Sequence, residues 1–515
     1  MGADCVRGYP VHTMPRNLLV LASLTLAALA QEPAPAARTA AAPKRPNFVF
    51  LLAEGTGAGW SSTSVAMDDR LPEAKGPAGL TPSLERLAKE GVRFGTFYVS
   101  APRCTPARAT LLTGKSAATL HMTYVNETGS ERRGAGDAGG SGGGGQQGGG
   151  GGLRGGQRGG GGGGGGRNRE AAAEEPTSVK KLLVPASETQ LPAGIPTIAS
   201  LLREEGYATA HFGKWHVGRV PPSGHGFDVD DGANTNQGPG RDPKPNPEQA
   251  YAITDRGIAF ARAQVKAGKP FYLQLSHYGG GSEDESRPET RQALAEQLRG
   301  MRGKGAWQAA ILADVDANLG RVLAALDELG IADETYVVFS TDHGAAGRNA
   351  NPPLRGGKGS VLEGGVRVPF LVRGPGVAAG ACTHARASGE DLLPTVLELA
   401  GVKRTVAGIE GASLAAVLRD PKAPVQRARE EFVVHFPHYD LGSTPASAIW
   451  VGTHKLVRSW EDESVSLYDL AEDPAESKDL AGSDPKRVKD LTQRLDAWLA
   501  AIKAAMPKPN PDYGK

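Results

Sequence analysis

Cysteine is scarce in this chain: three residues in 515, at Cys5, Cys104 and Cys382. Three thiols exclude a disulfide framework and a zinc site built on several cysteines. An excess of one charge is also missing, since 58 Lys+Arg face 56 Asp+Glu and leave a formal charge of +2. That balance argues against a protein that holds nucleic acid by bulk electrostatics, so no nucleic-acid partner is expected. Nor is there an apolar run of the roughly 20 residues that a membrane helix needs, so no transmembrane span is expected. The longest apolar stretch, Leu18 to Leu29, follows Arg16 and ends at Ala28-Leu29-Ala30. A charged start, a short apolar centre and small residues at the end predict a signal peptide over 1–30 and a secreted or periplasmic protein. Met1 to Thr13 is polar for a signal start, which makes Met14 an alternative initiator. The Ala- and Pro-rich residues 31–45 read as a linker.

Glycine is the residue in excess, with 71 copies, 23 of them in one tract between Gly134 and Gly166. Almost pure Gly with Gln and Arg, residues 134–166 cannot offset their own ordering entropy and are expected to form a disordered surface insert. Aromatics that would stack on RNA bases are absent from it.

Around the insert, buried strands alternate with helices. Phe48 to Ala53 is a continuous apolar run, as expected of a strand covered on both faces, and it breaks at Glu54-Gly55-Thr56-Gly57. Tyr207 to Phe212, Phe271 to Leu275 and Thr335 to Ser340 read the same way, and Gly91 to Phe94 begins a short strand. Thr81 to Ala88, Ile195 to Leu202 and Ala309 to Leu329 carry helix signals. The alternation predicts an α/β fold over residues 46–400. Past Gly401 the texture changes to short strands, Glu431 to Val434 and His454 to Val457, and an amphipathic helix, Pro485 to Ala505. Residues 401–515 are therefore expected to form a small C-terminal α+β subdomain.

The sharpest chemical signal is Cys104-Thr105-Pro106-Ala107-Arg108, followed by Ala109-Thr110-Leu111-Leu112-Thr113-Gly114-Lys115. Pro106 suits the first turn of a helix, which sets Cys104 at the positive end, and Arg108 lies four residues on, where it can clamp an anion. Further along come Phe212-Gly213-Lys214-Trp215-His216-Val217-Gly218, then Leu275-Ser276-His277, Ser340-Thr341-Asp342-His343-Gly344, and Gly357-Lys358-Gly359 leading into Glu363-Gly364-Gly365-Val366-Arg367-Val368-Pro369. In type and order this set resembles the sulfatase family of the alkaline phosphatase superfamily. The resemblance covers Pro46 to about Leu499 apart from the Gly-rich insert.

The resemblance implies an alkaline-phosphatase-like core, with a mixed and mostly parallel sheet between helices. It implies a sulfuric ester hydrolase of the arylsulfatase type whose Cys104 is oxidised to formylglycine by a maturation enzyme. In that family the hydrated aldehyde is the nucleophile, and a divalent cation (Ca2+, with Mn2+ or Mg2+ as alternatives) activates it. The implied catalytic residues are Cys104, Arg108, Lys115, Lys214, His216, His277 and Lys358, with His277 or Lys214 assisting departure of the alcohol. The implied metal ligands are Glu54, Cys104, Asp342 and His343. The substrate is expected to be a sulfated small molecule or glycan, with His435 and His438 as contributors to glycan contact.

One feature departs from the family. Its usual A-D-D after the first strand gives two carboxylates to the metal, whereas this chain has Ala53-Glu54-Gly55. Asp68-Asp69 lies downstream and reads as a solvated turn, with a substitute for the missing metal carboxylate as the alternative. The pattern Glu54, Asp342, His343 also fits phosphonate monoester or phosphodiester hydrolases on the same fold, and a catalytically inactive sulfatase-like binding protein is a further alternative.

Overall fold

The computed structural model describes residues 45–55, 60–125, 179–234, 249–279, 285–301, 304–347 and 351–515. The signal peptide, all of the linker but Arg45, and the Gly-rich insert lie outside these described residues. No described helix is long and apolar enough to cross a membrane.

Eight strands form the central sheet: β1 (Asn47–Ala53), β2 (Val92–Phe94), β3 (Ala208–Gly213), β4 (Val229–Asp230), β5 (Phe271–Ser276), β6 (Thr335–Thr341), β7 (Phe370–Arg373) and β8 (Ala381–Thr383). Their order across the sheet is β8-β2-β7-β6-β1-β5-β3-β4. Seven strands, the five from β6 to β4 and the two from β8 to β2, pair in parallel within their groups, and β7 runs antiparallel between β6 and β2. The sheet is thus mixed and mostly parallel.

Burial on both faces explains why the central strands read as unbroken apolar runs. In β1, Phe48, Phe50 and Leu52 join one apolar cluster, while Val49, Leu51 and Ala53 join the cluster on the other face. That is the period-two alternation of a strand, with both sides dry. Helices α1 (Pro82–Glu90), α2 (Cys104–Thr113), α3 (Ile198–Glu204), α4 (Ala250–Lys266), α5 (Lys304–Glu328) and α6 (Leu392–Leu399) are among those that cover the sheet. Helix α2 is buried along all ten residues and stops at Gly114, whose φ of 67° is the left-handed turn that glycine adopts without strain.

A second, antiparallel sheet follows, with β9 (Phe432–Phe436), β10 (Ala446–Val451), β11 (His454–Ser459) and β12 (Val465–Asp469) in chain order. Helix α7 (Pro485–Ala501) packs Leu491, Leu495 and Leu499 against Val433, Ile449, Leu456 and Leu467 of that sheet.

What matters for function is the edge. Strands β1, β3, β5 and β6 are parallel neighbours, so Glu54, Lys214, His277 and Asp342 each follow a carboxyl end on the same side of the sheet. Open α/β sheets place their ligands at that edge.

Candidate active site

Four side chains from three segments converge there. One ligand atom from each of Glu54, Cys104, Asp342 and His343 lies within 4.8 Å of the others, and all four residues are buried. His343 Nε2 sits 3.1 Å from Glu54 Oε1, 3.2 Å from Cys104 Sγ and 3.5 Å from Asp342 Oδ1. Its other nitrogen, Nδ1, lies 2.9 Å from the Gly344 carbonyl. A carbonyl can only accept, so it fixes the proton on Nδ1 and leaves the Nε2 lone pair for a metal ion. Two carboxylates, one imidazole so oriented and a helix-terminal Cys104 fit a divalent cation by donor chemistry.

Basic groups ring this set. The Lys214 ammonium pairs with Glu54 Oε2, and Lys358 Nζ stands 3.6 Å from Glu54 Oε1. Arg108 donates from Nε to Asp342 Oδ2 at 2.9 Å and from Nη1 to the Lys214 carbonyl at 2.8 Å. Its Nη2 is buried without a hydrogen-bond acceptor among the described residues, 3.9 Å from Glu54 Oε2. A buried guanidinium N–H left over in a cationic pocket is a donor suited to an anionic ester oxygen.

Charge placement shifts the titration of the group. Burial pushes the Glu54 carboxyl up, but Lys214, Lys358 and the His343 hydrogen bond outweigh it and hold Glu54 well below the usual carboxylate range. Burial and Glu54 push the Cys104 thiol up, and Lys214, Lys358 and His343 more than reverse this. Burial lowers His343, yet Asp342 brings it up to about 9, so a cation that takes Nε2 displaces a proton from it. His216 hydrogen-bonds Cys104 and is lowered, first by burial and then by Lys214.

His277 stands at the same edge, its backbone N–H bonded to the Leu52 carbonyl at 2.9 Å. Thr254 Oγ1 gives its proton to the Ala250 carbonyl and lies 3.2 Å from His277 Nε2, so Nε2 is the donor of that pair. Nδ1 is left as a buried lone pair with no partner among the described residues, and burial drives the group down to about 4. At neutral pH His277 is an acceptor. No sequence signal marked Thr254 as the residue that sets this.

The structure does not bring Lys115 to the cluster. It lies past the carboxyl end of α2, about 15 Å of helix away from Cys104, and its ammonium donates to the Gly408 carbonyl at 2.6 Å. Asp68 is not at the cluster and is not a solvated turn either. Its side chain is fully buried and pairs with Arg70 at 2.7 Å and with the Arg367 guanidinium, while Asp69 is the exposed member. His435 is consumed by structure, with Nδ1 at 2.7 Å from Ser447 Oγ and Nε2 at 3.0 Å from the Ala505 carbonyl. His438 is buried with Nε2 at 2.8 Å from Thr123 Oγ1. Sequence reading missed the pair next to Cys104, Arg103 Nε at 3.0 Å from Asp440 Oδ2. Asp440 belongs to a loop without a motif, so nothing local could have flagged it. A surface cavity of about 520 Å³, lined by Pro394, Leu397, Val402 and Ile409 among others, holds none of these groups.

The missing second carboxylate has a physical reason. The Gly55 N–H donates to Asp342 Oδ1 at 2.9 Å, and a Cβ built on Gly55 would meet the His343 carbonyl oxygen at 1.8 Å. Any side chain at 55 collides with the backbone that presents His343. Glycine is the residue this close approach permits.

Comparison with known proteins agrees with this geometry. The sulfatase family model matches residues 46–141 and 168–402, and a model for the C-terminal part of N-sulphoglucosamine sulphohydrolase matches 357–505. Mouse steryl-sulfatase is 28% identical, across 97% of this chain and 89% of its own. Human arylsulfatase A is 27% identical, across 84% of this chain and 85% of its own. A protein solved in complex with its substrate, D-glucosamine-2-N,6-O-disulfate, superposes with a TM-score of 0.59 at 19% identity, covering 92% of this chain and 100% of that one. With most of its length matched by the family model and an alkaline-phosphatase-like sheet carrying the cluster at its edge, the chain belongs to the sulfatase family and is a sulfuric ester hydrolase.

Proposed function

We propose that the protein hydrolyses sulfate monoesters of a sulfated carbohydrate or aryl alcohol, through a formylglycine made from Cys104 and a divalent cation held by Glu54, Asp342 and His343. The observation that carries this is the convergence of Cys104 with those three ligands and with Lys214, Lys358 and Arg108 in one buried group. A cation bound there, with the hydrated aldehyde at 104, supplies a Lewis acid and an activated oxygen nucleophile.

The rest of the chemistry belongs to the chain. A sulfate ester transition state spreads negative charge over its equatorial oxygens, which need fixed positive partners. Arg108 Nη2 meets one of them, held in place by its bonds to Asp342 and the Lys214 carbonyl. Lys214 and Lys358 supply two more charges, and Lys214 donates to the leaving oxygen, since burial keeps His277 neutral. The His277 Nδ1 lone pair can only accept, so it takes a hydroxyl hydrogen bond from the alcohol portion of the substrate, and His216 holds the position of residue 104. Calcium is the expected ion, with manganese tolerated because an imidazole and only two carboxylates make a softer, less charged set than a wholly carboxylate one.

Supported by the same reading, the chain is exported by its N-terminal segment and acquires formylglycine from a maturation enzyme. Glycan sulfates are the substrate class favoured by the relative bound to a disulfated glucosamine. The loss of a carboxylate at Gly55 favours a second reading, phosphonate or phosphodiester hydrolysis. Turnover of a sulfate ester and a phosphate diester of one aryl alcohol by matured protein separates them. Preference for the sulfate supports the proposal, and preference for the diester overturns it.

A further inference from the structure

A second group of metal-ligating side chains lies away from the active site. Asp69, Cys382 and His384 bring one oxygen, one sulfur and one nitrogen within 4.8 Å of one another. Cys382 sits in the edge strand β8, opposite Arg93 of β2, and His384 follows the end of that strand. Asp69 comes from the loop that crosses this edge. His384 Nε2 is 2.8 Å from Asp69 Oδ1, and Cys382 Sγ lies 3.5 Å from the Met67 carbonyl in the same loop.

The second ring nitrogen of His384 makes the group more than a chance meeting. Nδ1 faces Asp68 Oδ1 at 3.6 Å. Asp68 is fully buried and fixed by Arg70 and Arg367. A carboxylate behind the non-ligating nitrogen is the arrangement that orients metal-binding histidines and sets their tautomer. Space for it is left by Gly95, where an added Cβ would meet His384 Nδ1 at 3.0 Å and Asp68 Cγ at 3.1 Å. Thr96 Oγ1 fixes the same residue from the backbone side, donating to the His384 carbonyl at 3.0 Å.

The geometry points to a second cation site, built from Asp69, Cys382 and His384 and suited to a zinc-like divalent ion. Thiolate, imidazole and carboxylate are the three ligand types that zinc takes, and the half-exposed position leaves a fourth place for water. Binding forms a metal–sulfur bond and releases the Cys382 thiol proton to solvent. The ion would tie the loop carrying Asp69 to the sheet edge that β8 leaves unpaired on its outer side. The site shares no residue with the Glu54 group, so it stands or falls apart from the proposed reaction.

Cobalt(II) is the probe, because a thiolate ligand gives it an intense near-ultraviolet charge-transfer band. The full chain carrying Cys104→Ser is titrated, so that cobalt at the Glu54 group has no sulfur to report. The inference expects the band in this chain, its loss when Cys382→Ser is added, and its bleaching by one equivalent of zinc. His384→Ala, at a half-exposed position, is expected to weaken zinc at least tenfold with an unchanged far-ultraviolet spectrum. Absence of the band in the Cys104→Ser chain, its survival in the Cys382→Ser chain, or unchanged zinc affinity in His384→Ala overturns the site.

Discussion

Glu54 is the residue on which the metal assignment turns, and Glu54→Gln perturbs it with little change of shape. Its carboxylate faces Lys214, Lys358 at 3.6 Å and His343 at 3.1 Å inside a buried group. Two unit charges about 4 Å apart attract by about 4 kcal/mol at an effective dielectric of 20. Leaving one charge of a buried pair without its partner costs about 3–5 kcal/mol. If half of ~4 kcal/mol is carried to a bound cation, affinity falls roughly 30-fold, at about 1.4 kcal/mol per factor of ten. The assay is calcium and manganese binding by calorimetry, with turnover measured over the same metal series. Glu54→Gln is expected to bind more weakly, turn over slowly at low metal and recover part of its rate at high metal. Asp68→Asn is the control. It should lose stability, because Arg367 is stranded in the core, while calcium affinity at the Glu54 group stays that of the parent. Parent-like binding and turnover in Glu54→Gln, with metal binding lost in Asp68→Asn, would refute the assignment.

Restoring the family's second carboxylate with Gly55→Asp is expected to lower both melting temperature and turnover. A Cβ 1.8 Å from the His343 carbonyl oxygen forces that backbone to move, and overpacking of this kind costs about 1–3 kcal/mol. Higher turnover in this variant would show that the gap at 55 is incidental. Lys115→Ala should leave turnover on small sulfate esters within about twofold of the parent, because its ammonium is spent on the Gly408 carbonyl and one exposed hydrogen bond is worth only about 1 kcal/mol. A fall of a hundredfold in the same kinetic assay would return Lys115 to the site. Burial pushes Glu390 up to about 8, and its Oε2 has no partner among the described residues. The raised value favours the native state fully below the ordinary pKa of 4.5, and that contribution is lost as pH rises through about 8. Denaturant melts at pH 5, 7 and 9 should therefore show Glu390→Gln losing less stability than the parent across this window, and equal slopes would contradict it.

Much of the frame was legible because the central strands are dry on both faces. Phe48 to Ala53, Phe271 to Leu275 and Thr335 to Ser340 mark β1, β5 and β6 to within a residue or so. Where an apolar run stops, the next polar residue is at the sheet edge, and Glu54, Lys214, His277 and Asp342 follow from that rule. The antiparallel entry of β7 was not legible, since strand direction is decided by partners more than 20 residues away. Lys115 misled because adjacency to a motif in sequence is distance along a helix in space. Asp68 misled in the opposite sense: an Asp-Asp pair looks solvated, yet Arg367, 299 positions later, buries one member of it. The pairing of Gly55 with the His343 backbone is a tertiary contact of the same kind, invisible until the chain closes.

The central claim is that residue 104 is the nucleophile in its oxidised form. Its most direct test is mass analysis of the tryptic peptide carrying residue 104, from protein co-produced with a formylglycine-generating enzyme, alongside turnover of an aryl sulfate by the same sample. The account predicts conversion of thiol to aldehyde, turnover in proportion to the converted fraction, and loss of several orders of magnitude in Cys104→Ala. A fully unconverted thiol in a sample that hydrolyses the ester at full rate, or undiminished turnover in Cys104→Ala, would contradict it.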